Sequence, residues 1–134
     1  MKKEKSFQKS EKKKIERAIY AEETYPIFCF KYLSGASIKK CKDAKILSDF
    51  LMRLQKLSTL EWEGIRKSNR HGYGMEKIPT KAIKPKLPSI ISPEVKELDV
   101  FRFTGNNLPF IGKQDKSIFR VFFIETSFGD IYNH

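Results

Sequence analysis

The sequence predicts an α+β domain in which an N-terminal strand and an αα-hairpin pack on an antiparallel sheet of about four strands. Three patterns point to it. Apolar residues alternate around residues 25–33 and again beyond residue 100, the period of a strand. Between residues 46 and 57 they recur at three- and four-residue spacing, the period of a helix. Four of the six prolines lie between these segments, at 79, 85, 88 and 93. A chain of 134 residues fits one domain at about 100–200 residues per domain.

From the N-terminus, residues 1–20 read as a flexible basic extension, because lysine runs repel one another and stay solvated. Residues 21–134 read as the domain. The first strand runs through Tyr25-Pro-Ile-Phe-Cys-Phe-Lys-Tyr-Leu33, with Phe28, Phe30 and Tyr32 on one face and Pro26 at its start. Ile46, Leu47, Phe50, Leu51, Leu54 and Leu57 form the apolar stripe of a helix over residues 39–57. Ser58-Thr-Leu-Glu61 has the pattern of a capping box that opens a second helix, with Trp62 and Ile65 facing inward. Residues 71–98 form an irregular basic loop, in which Ser92-Pro93-Glu94 is suited to start one short helix. Strands are expected at 100–104, 109–111 and 117–125. Gly105-Asn-Asn, Gly112-Lys-Gln-Asp and Ser127-Phe-Gly-Asp supply the turns. Residues 130–134 are a final short strand or a tail.

Charge narrows the function classes. The chain carries 27 Lys+Arg against 16 Asp+Glu, a formal net charge of +11, and the excess lies in two segments. Residues 1–17 hold eight basic and three acidic residues; residues 66–88 hold seven basic residues and only Glu76. Within the second segment Arg66, Lys67, Arg70, Tyr73, Lys77, Lys81, Lys84 and Lys86 make a candidate phosphate-tracking surface, because each neutralised phosphate releases counterions. Two cysteines, Cys29 and Cys41, suit a reducing, cytoplasmic setting and are too few for a disulfide framework. The longest apolar runs are four residues, far below the roughly 20 needed to cross a bilayer, so no membrane association is expected.

Neither a phosphate-cradling glycine loop, nor a dinucleotide fingerprint, nor HExxH occurs in the sequence. No cofactor and no metal are expected, since the two histidines and two cysteines lie far apart in sequence. What remains is a set of acids, bases and cations. His71-Gly-Tyr-Gly-Met-Glu76 sets an imidazole and a carboxylate five residues apart on a loop with two glycines. Arg102 and Arg120 interrupt apolar strands, each opposite its aromatic neighbours, and two such guanidiniums can face one anionic ligand. Tyr132 and His134 stand at the end of the chain. This set suits RNA cleavage in which the 2′-hydroxyl attacks its own phosphate. That reaction asks for a base, an acid for the leaving oxygen and cations for the developing charge.

The strand Val100-Phe-Arg-Phe, then Gly112-Lys113, the strand Ile118-Phe-Arg-Val-Phe-Phe-Ile and the ending Ile131-Tyr-Asn-His134 resemble the C-terminal sheet of RelE/ParE-superfamily toxins. The preceding αα-hairpin fits that family, so the likeness covers residues 40–134. It implies a RelE-like fold and a bacterial toxin–antitoxin role, either as an mRNA endoribonuclease on the ribosome or as a gyrase poison, held silent by an antitoxin. By this likeness Arg102 and Lys113 hold phosphate and His134 is a general acid. The base, Glu76 or His71, matches no motif of the family. The 71–98 loop and the basic extension depart from it. The chain is also similar to small bacterial proteins with an HG-x-G-x-E segment and a Tyr-x-His ending. Two other readings stay open: a non-catalytic nucleic-acid-binding module, and a protein-interaction protein in phage defence or regulation.

Overall fold

Strand-forming residues in the C-terminal half and helix-forming residues in the N-terminal half segregate as an α+β fold. The computed structural model describes residues 10–13, 24–69, 72–103 and 107–134. Of the expected flexible extension, residues 10–13 are one helical turn, and the rest lies outside the described residues. The order is β1 (Ile27–Cys29), α1 (Gly35–Lys40), α2 (Ala44–Ser58), α3 (Trp62–Lys67), β2 (Glu76–Pro79), a 3₁₀ turn (Thr80–Ala82), β3 (Glu97–Arg102), β4 (Pro109–Asp115) and β5 (Ile118–Ile124).

Among the described residues these strands form one five-stranded mixed sheet in the order β1-β5-β4-β3-β2. This corrects the expected four-stranded antiparallel sheet in two ways. The N-terminal strand does not pack on the sheet but joins it, parallel to β5, with Phe28 beside Phe119. The edge strand β2, which pairs antiparallel with β3, forms inside the segment read as an irregular loop. Only four residues long and ending in proline, β2 has too little alternation to stand out in sequence.

The single helix expected over 39–57 is two. Asp43 interrupts it, because its carboxylate accepts from the amides of Lys45 (2.8 Å) and Ile46 (3.1 Å) and caps α2. The capping box at Ser58 does not form: α2 runs through Ser58, whose hydroxyl donates to the Leu54 carbonyl. Glu61 is itself the residue before α3. Residues 92–95 make a turn instead of a helix. Gly112 lies within β4, and the β4–β5 turn is Lys116-Ser117, with Lys116 at φ 57°.

Both faces of the sheet are covered. On one, Phe50, Leu54, Leu57, Trp62 and Ile65 of the helices pack on Phe101, Phe110, Phe119 and Val121. Phe110 lies at the centre, with ring centroids of Phe50 and Phe101 each 5.2 Å away. Phe28 and Phe30 also join this side, whereas Tyr32 packs on the other face. On that second face Leu98, Val100, Ile111, Phe122 and Phe123 are covered by Ile83 and by the C-terminal Ile131 and Tyr132. Burying each large side chain contributes about 1.5–3 kcal/mol, so the two clusters hold the layers together.

One irregularity decides which face residue 125 occupies. Gly112 pairs with Val121 but Ile111 pairs with Phe123, so Phe122 is an extra residue in β5. Strict alternation from Phe119 would send residue 125 to the helical face. The bulge shifts the phase, so Phe122 and Phe123 both join the second cluster and Ile124 returns to the first. Glu125 is thereby carried to the face opposite the helices. Because β1 is short, the edge of β5 beyond it is satisfied otherwise: Ser34 N–H donates to the Phe122 carbonyl, and the Ile124 amide donates to the Ser37 hydroxyl.

Candidate active site

The second face gathers acid, base and cation at one end of the sheet. Arg102 pairs with Pro109, and the Glu125 amide donates to the Pro109 carbonyl, so Arg102 and Glu125 flank β4 at the same level. Two strand spacings put their backbones about 9–10 Å apart. Glu76, on the same face of β2 as the buried Ile78, meets Arg102: Nη2 lies 2.5 Å from Glu76 Oε1. Arg102 Nη1 donates to the Asn107 carbonyl at 2.8 Å, which fixes the plane of the guanidinium.

The chain end closes over this face instead of forming a strand or a tail. The Lys84 amide donates to the Ile131 carbonyl at 2.7 Å, and Lys84 Nζ donates to the Gly129 carbonyl at 2.5 Å. Lys40 of α1 reaches Asp130 at 3.7 Å. Ile131 and Tyr132 are buried in consequence. His134 is held from three sides. Its ring centroid is 4.2 Å from that of Tyr132 and 4.8 Å from that of Phe128, and its Nε2 lies 2.8 Å from Glu125 Oε1. With the carboxylate accepting, this contact assigns the hydrogen to Nε2 and leaves Nδ1 as the second functional atom of the ring.

Glu125 is the residue that sequence reasoning missed. Its side chain has no solvent exposure. Oε1 also accepts from the Gly129 amide, while Oε2 is buried without a hydrogen-bond partner among the described residues. The only sequence signal was an acid directly ending an apolar strand, where a fully buried carboxylate implies a partner. Tyr132 is buried beside His134, with Arg102, Glu76 and Glu125 near enough to act on its charge. Burial first of all, and then the nearby carboxylates of Glu76 and Glu125, push its phenol up to about 12 against the opposing charge of Arg102. The phenol therefore stays a neutral hydroxyl, buried without a hydrogen-bond partner among the described residues.

Of the expected site residues, the structure brings together Glu76, Arg102 and His134. Arg120 does not join them. It lies on β5, with β4 between it and β3, opposite Lys113, and its guanidinium is 3.5 Å from Asp115 at the far end of the strand. Lys113 is also remote: Gly112 already pairs with Asp99, so Lys113 is displaced about 13 Å along the sheet from Arg102. Its ammonium donates to the Glu97 carbonyl. Arg70 and His71 lie outside the described residues.

The basic segment 66–88 does not form one patch, because the chain passes round the β2 edge within it. Arg66 and Lys67 lie on α3, in the helical layer, where Lys67 pairs with Glu63 at 3.1 Å. Tyr73 packs on the same side, under the Arg53 guanidinium at 4.7 Å and the Lys56 ammonium at 5.9 Å from its ring centroid. Lys77 is engaged by the buried Asp99 at 2.5 Å. Lys81 and Lys86 are exposed on the connection that covers the second face.

Comparison with protein-family models, with curated proteins and with solved structures finds no match to this chain. Among the described residues no group of three or more His, Cys, Asp or Glu side chains is placed to hold a metal ion, and no helix is long and apolar enough to cross a membrane.

Proposed function

We propose that the chain is a metal-independent endoribonuclease of toxin type, cleaving RNA through attack of a 2′-hydroxyl on the adjacent phosphate. The observation that carries this reading is the convergence of Arg102, Glu76 and the Glu125-held His134 on one end of one sheet face. Arg102 offers donors to the non-bridging phosphate oxygens, where negative charge grows in the transition state. As phosphate draws Arg102 away, Glu76 accepts the 2′-hydroxyl proton. In its doubly protonated form His134 keeps its Nε2 hydrogen on Glu125 and gives its Nδ1 proton to the departing 5′ oxygen. The bond formed joins the 2′ oxygen to phosphorus, and the bond broken is phosphorus to the 5′ oxygen. The products are a 2′,3′-cyclic phosphate and a free 5′-hydroxyl. Tyr132 and Glu125 touch the reacting groups only through neighbours and act as positioning residues. In this reading the substrate is mRNA, on the ribosome, and an antitoxin protein restrains the enzyme.

The test is tightly induced expression of wild type, Arg102→Ala and His134→Ala, with growth and mRNA integrity followed together. Purified protein is then assayed on end-labelled RNA. Growth arrest with 2′,3′-cyclic ends, abolished in both variants while they remain folded, is the expected result. Variants as active as wild type would remove these residues from the site.

A second reading, a non-catalytic nucleic-acid-binding module, is favoured by the Arg53–Tyr73 stack beside Lys56, which offers a ring and cations together. Intact RNA, bound with a steep salt dependence that Tyr73→Ala weakens, would select it.

A further inference from the structure

An apolar groove on the helical side is unconnected with this chemistry. It runs between α1 and α2 and encloses about 380 Å³ over a floor of Leu33, Leu47, Phe50 and Ile124. Its walls carry Phe30, Ile38 and Leu51, which are 41%, 58% and 63% exposed. Single exposed apolar side chains are ordinary, but three that line one cavity mark a binding surface.

We infer that this groove docks an acidic amphipathic helix of a protein partner. Three arguments select that occupant. The segment that forms most of the groove is basic: residues 31–56 hold seven Lys or Arg against two Asp. Of the two, Asp43 is turned into the α2 cap and Asp49 is neutralised by Lys45 at 2.8 Å. With Lys40 engaged by Asp130, that leaves the exposed Lys39 and Lys42, next in sequence to the lining residues Ile38 and Cys41, as a rim for carboxylates. A second copy of this chain, at +11, and its own basic N-terminal segment would both meet like charge there. Nucleic acid is disfavoured by the lining itself, which sets one exposed ring, Phe30, among aliphatic side chains and carries no charged side chain to meet a phosphate. A helix presenting Leu, Ile or Phe at i, i+3 or i+4, and i+7, with Glu or Asp on its flanks, fits both features. The inference stands whether or not the chain cleaves RNA.

The probe is a fluorescent peptide of about four helical turns with a Leu/Phe stripe and flanking Glu, compared with a scrambled peptide of equal composition and with a version carrying Lys for Glu. Wild type is expected to bind the Glu-flanked peptide and neither control, with amide shifts concentrated at residues 30–51. Leu51→Asp and Ile38→Asp, both at exposed positions, weaken binding at least about tenfold, as for central anchors. Lys39→Glu with Lys42→Glu weakens it without touching the apolar lining. Circular dichroism checks that every variant is folded. Three results would overturn the inference: no binding of the Glu-flanked peptide, equal binding of the scrambled peptide, or unchanged affinity in Leu51→Asp and the charge-reversed variant. A concentration-dependent dimer lost in Leu51→Asp would give the groove to a second copy and also overturn it.

Discussion

His134 Nε2 lies 2.8 Å from Oε1 of Glu125, a carboxylate with no exposure to solvent. The pair joins the last residue of the sequence to the end of the interior strand β5. A neutral substitute of the same shape tests what the carboxylate does. In the proposed ribonuclease, Glu125→Gln and His134→Gln each lower cleavage by about 10²–10⁴-fold, the usual worth of a positioned proton donor. The double variant is no worse than the poorer single one, because Glu125 acts through His134. Single-turnover rates on a short RNA measure this, and full additivity would separate the two residues.

Arg102 and Arg120 are equivalent in pattern, each an arginine between apolar strand residues, and the fold makes them unequal. Arg102 is mostly buried against Glu76 and anchored on Asn107. Arg102→Ala leaves the Glu76 carboxylate without that cation and destabilises the fold by about 1–3 kcal/mol. Arg120 meets the exposed Asp115 at 3.5 Å, so Arg120→Ala costs about 0–1 kcal/mol. Urea titrations report both numbers. In the cleavage assay Arg102→Ala is inactive and Arg120→Ala is not.

Tyr132 gives the fold an alkaline weakness. Its phenol is pushed up to about 12 in the folded chain, above its ordinary 10. A raised folded value means that the protonated form is favoured by folding. The contribution is therefore complete below pH 10 and is lost as pH rises through about 12. Thermal unfolding of wild type should fall across that window, and Tyr132→Phe should flatten the fall. Absorbance titration should show a late tyrosine ionisation that is missing in the variant.

Gly112→Ala tests the β-bulge. A Cβ there would meet the Arg120 carbonyl oxygen at 1.9 Å and the Phe119 ring at 2.7 Å. Backbone cannot yield as a side-chain tip does, so the expected destabilisation is about 1–3 kcal/mol. Since the bulge also sets the face of Glu125, cleavage should fall further than the loss of folded protein explains. Activity restored at low temperature, where the variant is fully folded, would uncouple the bulge from the site.

The α+β class, the α2 stripe and the three C-terminal strands are legible in residue order alone, because spacing of two or near 3.6 is a local property of the chain. So is the placing of Arg102 opposite Phe101 and Phe103. Residue order did not reveal Asp43 as a helix break within an apolar stripe, because a capping carboxylate competes with the helix only where the backbone can turn. Nor did it contain the partnerships. Parallel pairing of β1 with β5, the extra residue at Phe122 and the docking of residues 131–134 depend on segments far apart in sequence and on how two apolar faces are both covered. Those choices put Glu125 beside His134, set Glu76 against Arg102, and sent Arg120 and Lys113 to the other end of the sheet. The site is a product of the assembled sheet, because a strand's period fixes which way a side chain faces but not which neighbour it meets there.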